Sequence, residues 1–152
     1  EKRLSNKLRD FYINHTNCKC ENFKFTDLVS ASLIKYTINT FLATKVIFFN
    51  QLFNIFNHLN PSSSWDEFTQ IISSDSRIGD SHMKVPGNDN RLGFGGPCFP
   101  KDCNALHKYS KDINQNFSLL GQAKSINNDI RSKYDELTER EIEQNTNFEN
   151  NE

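Results

Sequence analysis

The clearest pattern in the chain is residues 28–59, which contain neither Gly nor Pro. Apolar side chains recur there at three- and four-residue steps, at Leu33, Ile34, Ile38, Phe41 and Leu42, and continue beyond Lys45. That spacing predicts one long α-helix, roughly 48 Å at about 1.5 Å per residue. Thr26-Asp27 supplies an N-cap, and Asn60-Pro61 with three serines ends it. The second half is apolar around most of its circumference, so it needs cover from other helices or from a second copy of the chain.

Shorter elements flank this helix. Leu4, Leu8 and Tyr12 (or Phe11) sit at helical spacing before a polar break at His15 to Glu21. Trp65 to Ile72 reads as a short helix capped by Ser64, with Trp65 as a core anchor. Residues 73–97 form a long segment rich in Ser, Asp, Asn and Gly, a length that is usually functional or disordered. Pro100 suits the first turn of a helix that runs on to Tyr109, and a last helix is predicted from Ser118 to Leu137. No convincing period-two alternation occurs. The expected class is therefore all-α, built on one long helix with shorter helices packed around it. The expected division is a connecting segment at 1–26, a helical domain at 27–137, and a charged, Asn-rich, frayed tail at 138–152.

Composition removes several function classes. The net charge is -1 over 152 residues and Lys and Arg are scattered, so no basic field draws the chain to nucleic acid. The most apolar stretch, Ile38 to Phe56, is broken by Asn39, Lys45, Asn50, Gln51 and Asn54, which argues against a membrane span. No apolar stretch comes after Glu1 to Ser5, so no secretory leader is expected. The four cysteines, Cys18, Cys20, Cys98 and Cys103, match no structural zinc spacing. Cys18-Lys19-Cys20 with His15 is poor metal geometry, so no metal is expected. The thiols read as reduced in a cytoplasmic protein, with Cys103 as a small packing residue.

The densest chemical signal is Gly93-Phe94-Gly95-Gly96-Pro97-Cys98-Phe99-Pro100-Lys101-Asp102. It sets a cysteine at a loop-to-helix junction, where free helical N–H groups suit a reactive thiol. Asp102 comes one turn later, placed to handle a proton or orient a water. Two readings stand at this point: a nucleophile with a nearby carboxylate, or a structural glycine turn with a buried cysteine.

The same ten residues resemble the active-site motif of the UDP-glucose/GDP-mannose dehydrogenase family. Leu33 to Lys45 resembles that family's central-helix signature, and Asp75-Ser76-Arg77-Ile78-Gly79 resembles the segment before its active-site loop. The last helix, with Asn127 and Arg131, resembles the family's segment after its cysteine helix. The motifs fall in the family's order and cover roughly residues 24–135. The resemblance implies a fold like the 6-phosphogluconate dehydrogenase C-terminal-like fold and a homodimer through the long helix, 27–59. It implies oxidation of UDP-glucose to UDP-glucuronate with two NAD, through a thiohemiacetal and a thioester on Cys98. It casts Lys35 and Asn39 as donors to oxygen anions and Asp102 as the holder of the hydrolytic water. It further assigns Arg77 to a neighbouring subunit's sugar nucleotide, Lys84 to the diphosphate, and the backbone of Phe94, Gly95 and Gly96 to the sugar. Lys101 stands on the cofactor side, beside the thiolate.

The sequence departs from the family in places. No Gly-x-Gly-x-x-Gly follows a strand, so NAD is expected to bind a domain outside this chain, which alone should not turn over. Ser32, Asn50-Gln51 and the loop Val85 to Arg91 also differ, and they bear on which sugar and base are preferred. Rival readings are a non-catalytic oligomerisation module and a GDP-mannose or UDP-N-acetylhexosamine dehydrogenase fragment. A cysteine hydrolase needs a histidine partner, and His15, His58, His82 and His107 offer no recognisable pairing.

Overall fold

A computed structural model describes residues 2–17, 19–20 and 22–148. Among the described residues six α-helices occur in order: α1 Lys2–His15, α2 Leu28–Leu59, α3 Trp65–Ser73, α4 Phe99–Asp112, α5 Ser118–Arg131 and α6 Glu139–Glu143. No strand occurs among the described residues. The fold is all-α and built on the 32-residue α2, as the apolar spacing predicts. No helix among the described residues is long and apolar enough to cross a membrane.

The chain divides into two compact units, Glu1–Ile34 and Lys35–Glu152. In the first, α1 ends at the polar break, and Tyr12 and Phe23 stand 6.4 Å apart between ring centres. The Asp27 carboxylate accepts from the Ser30 N–H at 2.9 Å, satisfying a free donor at the start of α2. The hydrogen bonds from Ser30 lower the Asp27 pKa to about 2.

The second unit begins at Lys35, within α2, and holds two apolar clusters. Ala43, Ile47, Phe94, Cys103 and Leu120 form one, joining α2 to the α4–α5 pair. Phe49, Trp65, Met83 and Val85 form the other, joining α2 to α3 and to the segment after it. Fully burying one large apolar side chain contributes about 1.5–3 kcal/mol, so these clusters hold the unit together. Trp65 is the anchor the sequence suggests, edge-on to Phe53 at 5.0 Å and to Phe56 at 5.3 Å. Ser64 and Glu67 form a reciprocal cap, with Glu67 N–H donating to Ser64 Oγ at 3.2 Å and Ser64 N–H to Glu67 Oε2 at 2.8 Å.

Two expectations need correction. The sequence extends the last helix to Leu137, but α5 stops at Arg131. Leu92 N–H donates to the Tyr134 hydroxyl at 2.8 Å and the Arg91 guanidinium donates to Glu136 O at 2.5 Å, drawing 132–137 off the helical path. The composition predicts a tail that frays from residue 138, yet Thr138 caps α6 and both Glu141 and Phe148 are buried. Glu141 finds a buried cation in Arg131, which composition alone does not reveal. Residues 149–152 of that tail lie outside the described residues.

Candidate active site

Lys35 and Asn39 lie one turn apart on α2, so their side chains leave the same face. Asp102 sits in the first turn of α4 and is fully buried. Lys35 Nζ reaches its carboxylate at 3.1 Å, Asn39 Nδ2 donates to Oδ2 at 2.5 Å, and Lys101 Nζ donates to Oδ1 at 2.6 Å. Burial alone would raise the Asp102 pKa. The hydrogen bonds from Lys101, Asn39 and Lys35 together outweigh it and hold the carboxyl below its ordinary range. It is therefore an anion at neutral pH, and it ties α4 to α2. In return, the bond to Asp102 raises the Lys101 amine, with a smaller contribution from Cys98 nearby.

Cys98 stands at the N-cap of α4 and is exposed, so the reading of it as a buried turn residue does not hold. Its carbonyl accepts from the Asp102 N–H at 2.9 Å, which fixes the thiol-bearing residue to the turn that carries the carboxylate. Cys103, five residues on, is fully buried, and burial pushes its thiol up to about 12. Of these two thiols on one element, one is available to solvent and the other is packing.

The glycine loop is held from behind. Gly93 has φ +73°, and a Cβ there would meet Asn127 Oδ1 at 2.6 Å. The Asn127 side chain takes both backbone groups of Phe94, accepting its N–H at 2.6 Å and donating to its carbonyl at 3.0 Å. Asn50 Oδ1 accepts the Gly93 N–H at 2.9 Å. The close approach that the glycines permit is thus to α2 and α5. The Phe94 backbone, read from sequence as lining a sugar pocket, is engaged inside the fold, and Gly96 N–H donates to Glu141 Oε1 at 3.3 Å. Gly95 is packed against Arg131 and Glu141.

The peripheral candidates stand apart from this cluster. Arg77 forks onto Asp75, with Nη2 to Oδ2 at 2.6 Å, and its side chain is 87% exposed. Lys84 meets Asn88 at 3.4 Å within its own loop. The His15–Cys18–Cys20 idea falls partly outside the described residues at Cys18, and no group of three potential metal ligands occurs among those described.

The sequence reads Lys45 as a snorkelling helix lysine and His82 as a histidine without a pairing, and assigns neither to the site. Lys45 Nζ donates to Ile78 O at 2.9 Å and Gly79 O at 3.4 Å, pinning the segment just after Arg77 to α2. A signal existed: Lys45 is the one Lys, Arg, Asp or Glu between Tyr36 and Ser64, and a cation in an apolar stretch needs partners. His82 adopts φ +64° and its ring lies 5.5 Å from that of Phe99, the residue after Cys98. Burial, and then the charge of Lys45, lower its pKa. No sequence signal marks it.

The site is thus an exposed thiol at the start of α4, one turn before a buried carboxylate braced by two lysines and an amide. Residues 29–129 match the UDP-glucose/GDP-mannose dehydrogenase family, central domain, and the chain belongs to that family. It is 37% identical over 103 residues to the UDP-glucose 6-dehydrogenase YwqF of Bacillus subtilis (strain 168), covering 68% of this chain and 22% of that protein. It is 40% identical over 95 residues to the UDP-glucose 6-dehydrogenase TuaD of the same strain, covering 62% and 19%. It is 38% identical over 105 residues to a UDP-glucose 6-dehydrogenase of Rickettsia bellii (strain RML369-C), covering 69% and 22%. The chain thus spans about a fifth of the length of the curated relatives it matches.

Proposed function

We propose that this chain carries the substrate-side chemistry of a UDP-glucose 6-dehydrogenase, with Cys98 as the covalent nucleophile. The observation that carries the reading is the exposed Cys98 one helical turn from the Asp102 cluster of Lys35, Asn39 and Lys101. The Cys98 thiolate adds to the C6 aldehyde of the sugar, forming a C–S bond while the carbonyl pair moves to oxygen. Lys35, with its side chain 57% exposed, and the second amide hydrogen of Asn39 are the donors that stabilise the resulting oxyanion. Removing one such donor typically raises a barrier by about 2.7–4 kcal/mol. In the last step water adds to the thioester carbon, the C–S bond breaks, and the thiolate leaves with uronate as product. Asp102 acts by holding Lys35 and Asn39 in register with Cys98.

When bound, NAD would supply two hydride acceptances, one before Cys98 adds, which turns the C6 alcohol into the aldehyde, and one after, which turns the thiohemiacetal into the thioester. The described residues contain no strand leading into a glycine turn and helix, the cradle a dinucleotide pyrophosphate needs. They do not fit that group, and no step through it is drawn from this chain. The remaining assignments are Arg77 and Lys84 to the nucleotide, Gly95 and Gly96 to the sugar, and a homodimer through α2. Exposed Ile38, Phe41, Phe48, Ile55 and Leu59 recur along one side of that helix and support the last.

The test is product formation by the assembly that contains this chain. Cys98→Ala should abolish NADH formation, and Cys98→Ser should leave at most a slow or trapped adduct. Ordinary turnover by Cys98→Ala would overturn the proposal. For the isolated chain, thermal unfolding with UDP-glucose, GDP-mannose and a UDP-N-acetylhexosamine ranks the sugar nucleotides.

A further inference from the structure

Arg131, at the end of α5, has a side chain only 1% exposed. Its Nη2 donates to Asp89 Oδ2 at 2.6 Å and to Glu141 Oε1 at 3.1 Å, while Phe148 lies 5.7 Å from the guanidinium carbon. Its Nε and Nη1 have no hydrogen-bond partner among the described residues. Glu141 is itself fully buried and serves two ends at once. Oε2 accepts the Thr138 N–H at 2.8 Å in the cap of α6, and Oε1 faces Arg131 and the Gly96 N–H. Gly95 has no room for a Cβ against this pair.

From these contacts we propose that residues 138–148 are a strap, closed by the Glu141–Arg131 pair, that positions the glycine loop and through it Cys98. The inference rests on the reading of Cys98 as the working thiol. A buried ion pair with unpaired N–H groups is a poor way to gain stability, because an apolar pair of similar volume does as well or better. The charged pair does what an apolar pair cannot: it accepts a loop N–H and grips the Asp89 loop, the Gly95–Gly96 turn and α6 at one point. Cys98 is two residues beyond that grip. The strap lies outside the family-matched span 29–129. Glu141 and Arg131 are positioning residues.

The test uses the whole chain and two readouts that need no turnover. One is amide hydrogen exchange at Gly95 and Gly96, and the other is the alkylation rate of Cys98 against exposed Cys20 in the same sample. In Glu141→Gln, exchange at Gly95–Gly96 should quicken by about tenfold or more. The Cys98 rate should change by about threefold or more, with Cys20 and the α4–α5 amides unmoved. The double variant Arg131→Met/Glu141→Leu should stay folded and still show the altered Cys98 rate. Its return to the wild-type rate would mean that the pair is structural only, and would overturn the proposal. A folded Glu141→Gln with wild-type exchange and wild-type Cys98 rate would do the same. Should Glu141→Gln not fold, Thr138→Ala, which loosens the cap without touching the pair, decides by the same two readouts. Failure of Cys98 as nucleophile would appear instead as turnover by Cys98→Ala, with the exchange result intact.

Discussion

Asp102 shows how one buried side chain sets several others. Its carboxylate accepts from Lys35, Asn39 and Lys101, and its pKa lies below the ordinary value. A carboxyl depressed in the folded state adds stability above its unfolded pKa and loses it as pH falls through the folded value. The wild-type chain should therefore lose this contribution only below the ordinary carboxylate range. Asp102→Asn should be less stable by about 1–3 kcal/mol at neutral pH, because its amide turns an acceptor into a donor facing donors. Both lysines are about half exposed, which places the effect toward the low end. Urea unfolding of both proteins across pH checks this: the two curves should converge in acid. The neighbouring thiols give a second test. Cys98 should react with iodoacetamide in the native protein, whereas Cys103, buried and with its thiol at about 12, should react only on unfolding. Peptide mass analysis distinguishes them.

At the scale of elements, α2 works because its apolar positions serve two clusters in turn. Ala43 and Ile47 face α4 and α5, and Phe49, Leu52, Phe53 and Phe56 face α3. Leu120 on α5 is 1% exposed, so Leu120→Ala should cost about 2–5 kcal/mol, depending on how far the site collapses. Chemical denaturation followed by circular dichroism measures it. Trp65 is the sole tryptophan, so its fluorescence reports the α2–α3 cluster separately. Coincident midpoints by the two signals would show that both clusters unfold together. The loop between α3 and α4 has few helical bonds of its own. It is ordered by side chains from elsewhere: Lys45 and Asn50 of α2, Asn127 of α5 and Tyr134 beyond it.

At the scale of the whole molecule, α2 carries exposed apolar side chains along one side. Phe41 is 67% exposed and Phe48 61%, seven residues apart and therefore on one side of the helix. If α2 pairs with its twofold mate, the purified chain should sediment as a dimer at micromolar concentration. Phe41→Asp with Phe48→Asp should shift it to monomer while leaving the helical signal intact. Sedimentation velocity of both proteins tests the homodimer independently of any activity.

The amino-acid sequence by itself determined the helices whose signals are local. An apolar period without Gly or Pro made α2, and Ser64 with Glu67 started α3. The ordered motifs around Lys35, Arg77 and Cys98 identified the family, because residue type and spacing along the chain suffice for that. What only the tertiary structure decided were contacts between distant residues. Asp102 gathers Lys35 and Asn39 from over sixty positions away, Lys45 holds a loop, and Arg131 turns a charged, Asn-rich tail into a packed strap. The reason is physical. A buried ion or amide is stable only with its partner in place, and a partner far along the chain leaves no periodicity to read.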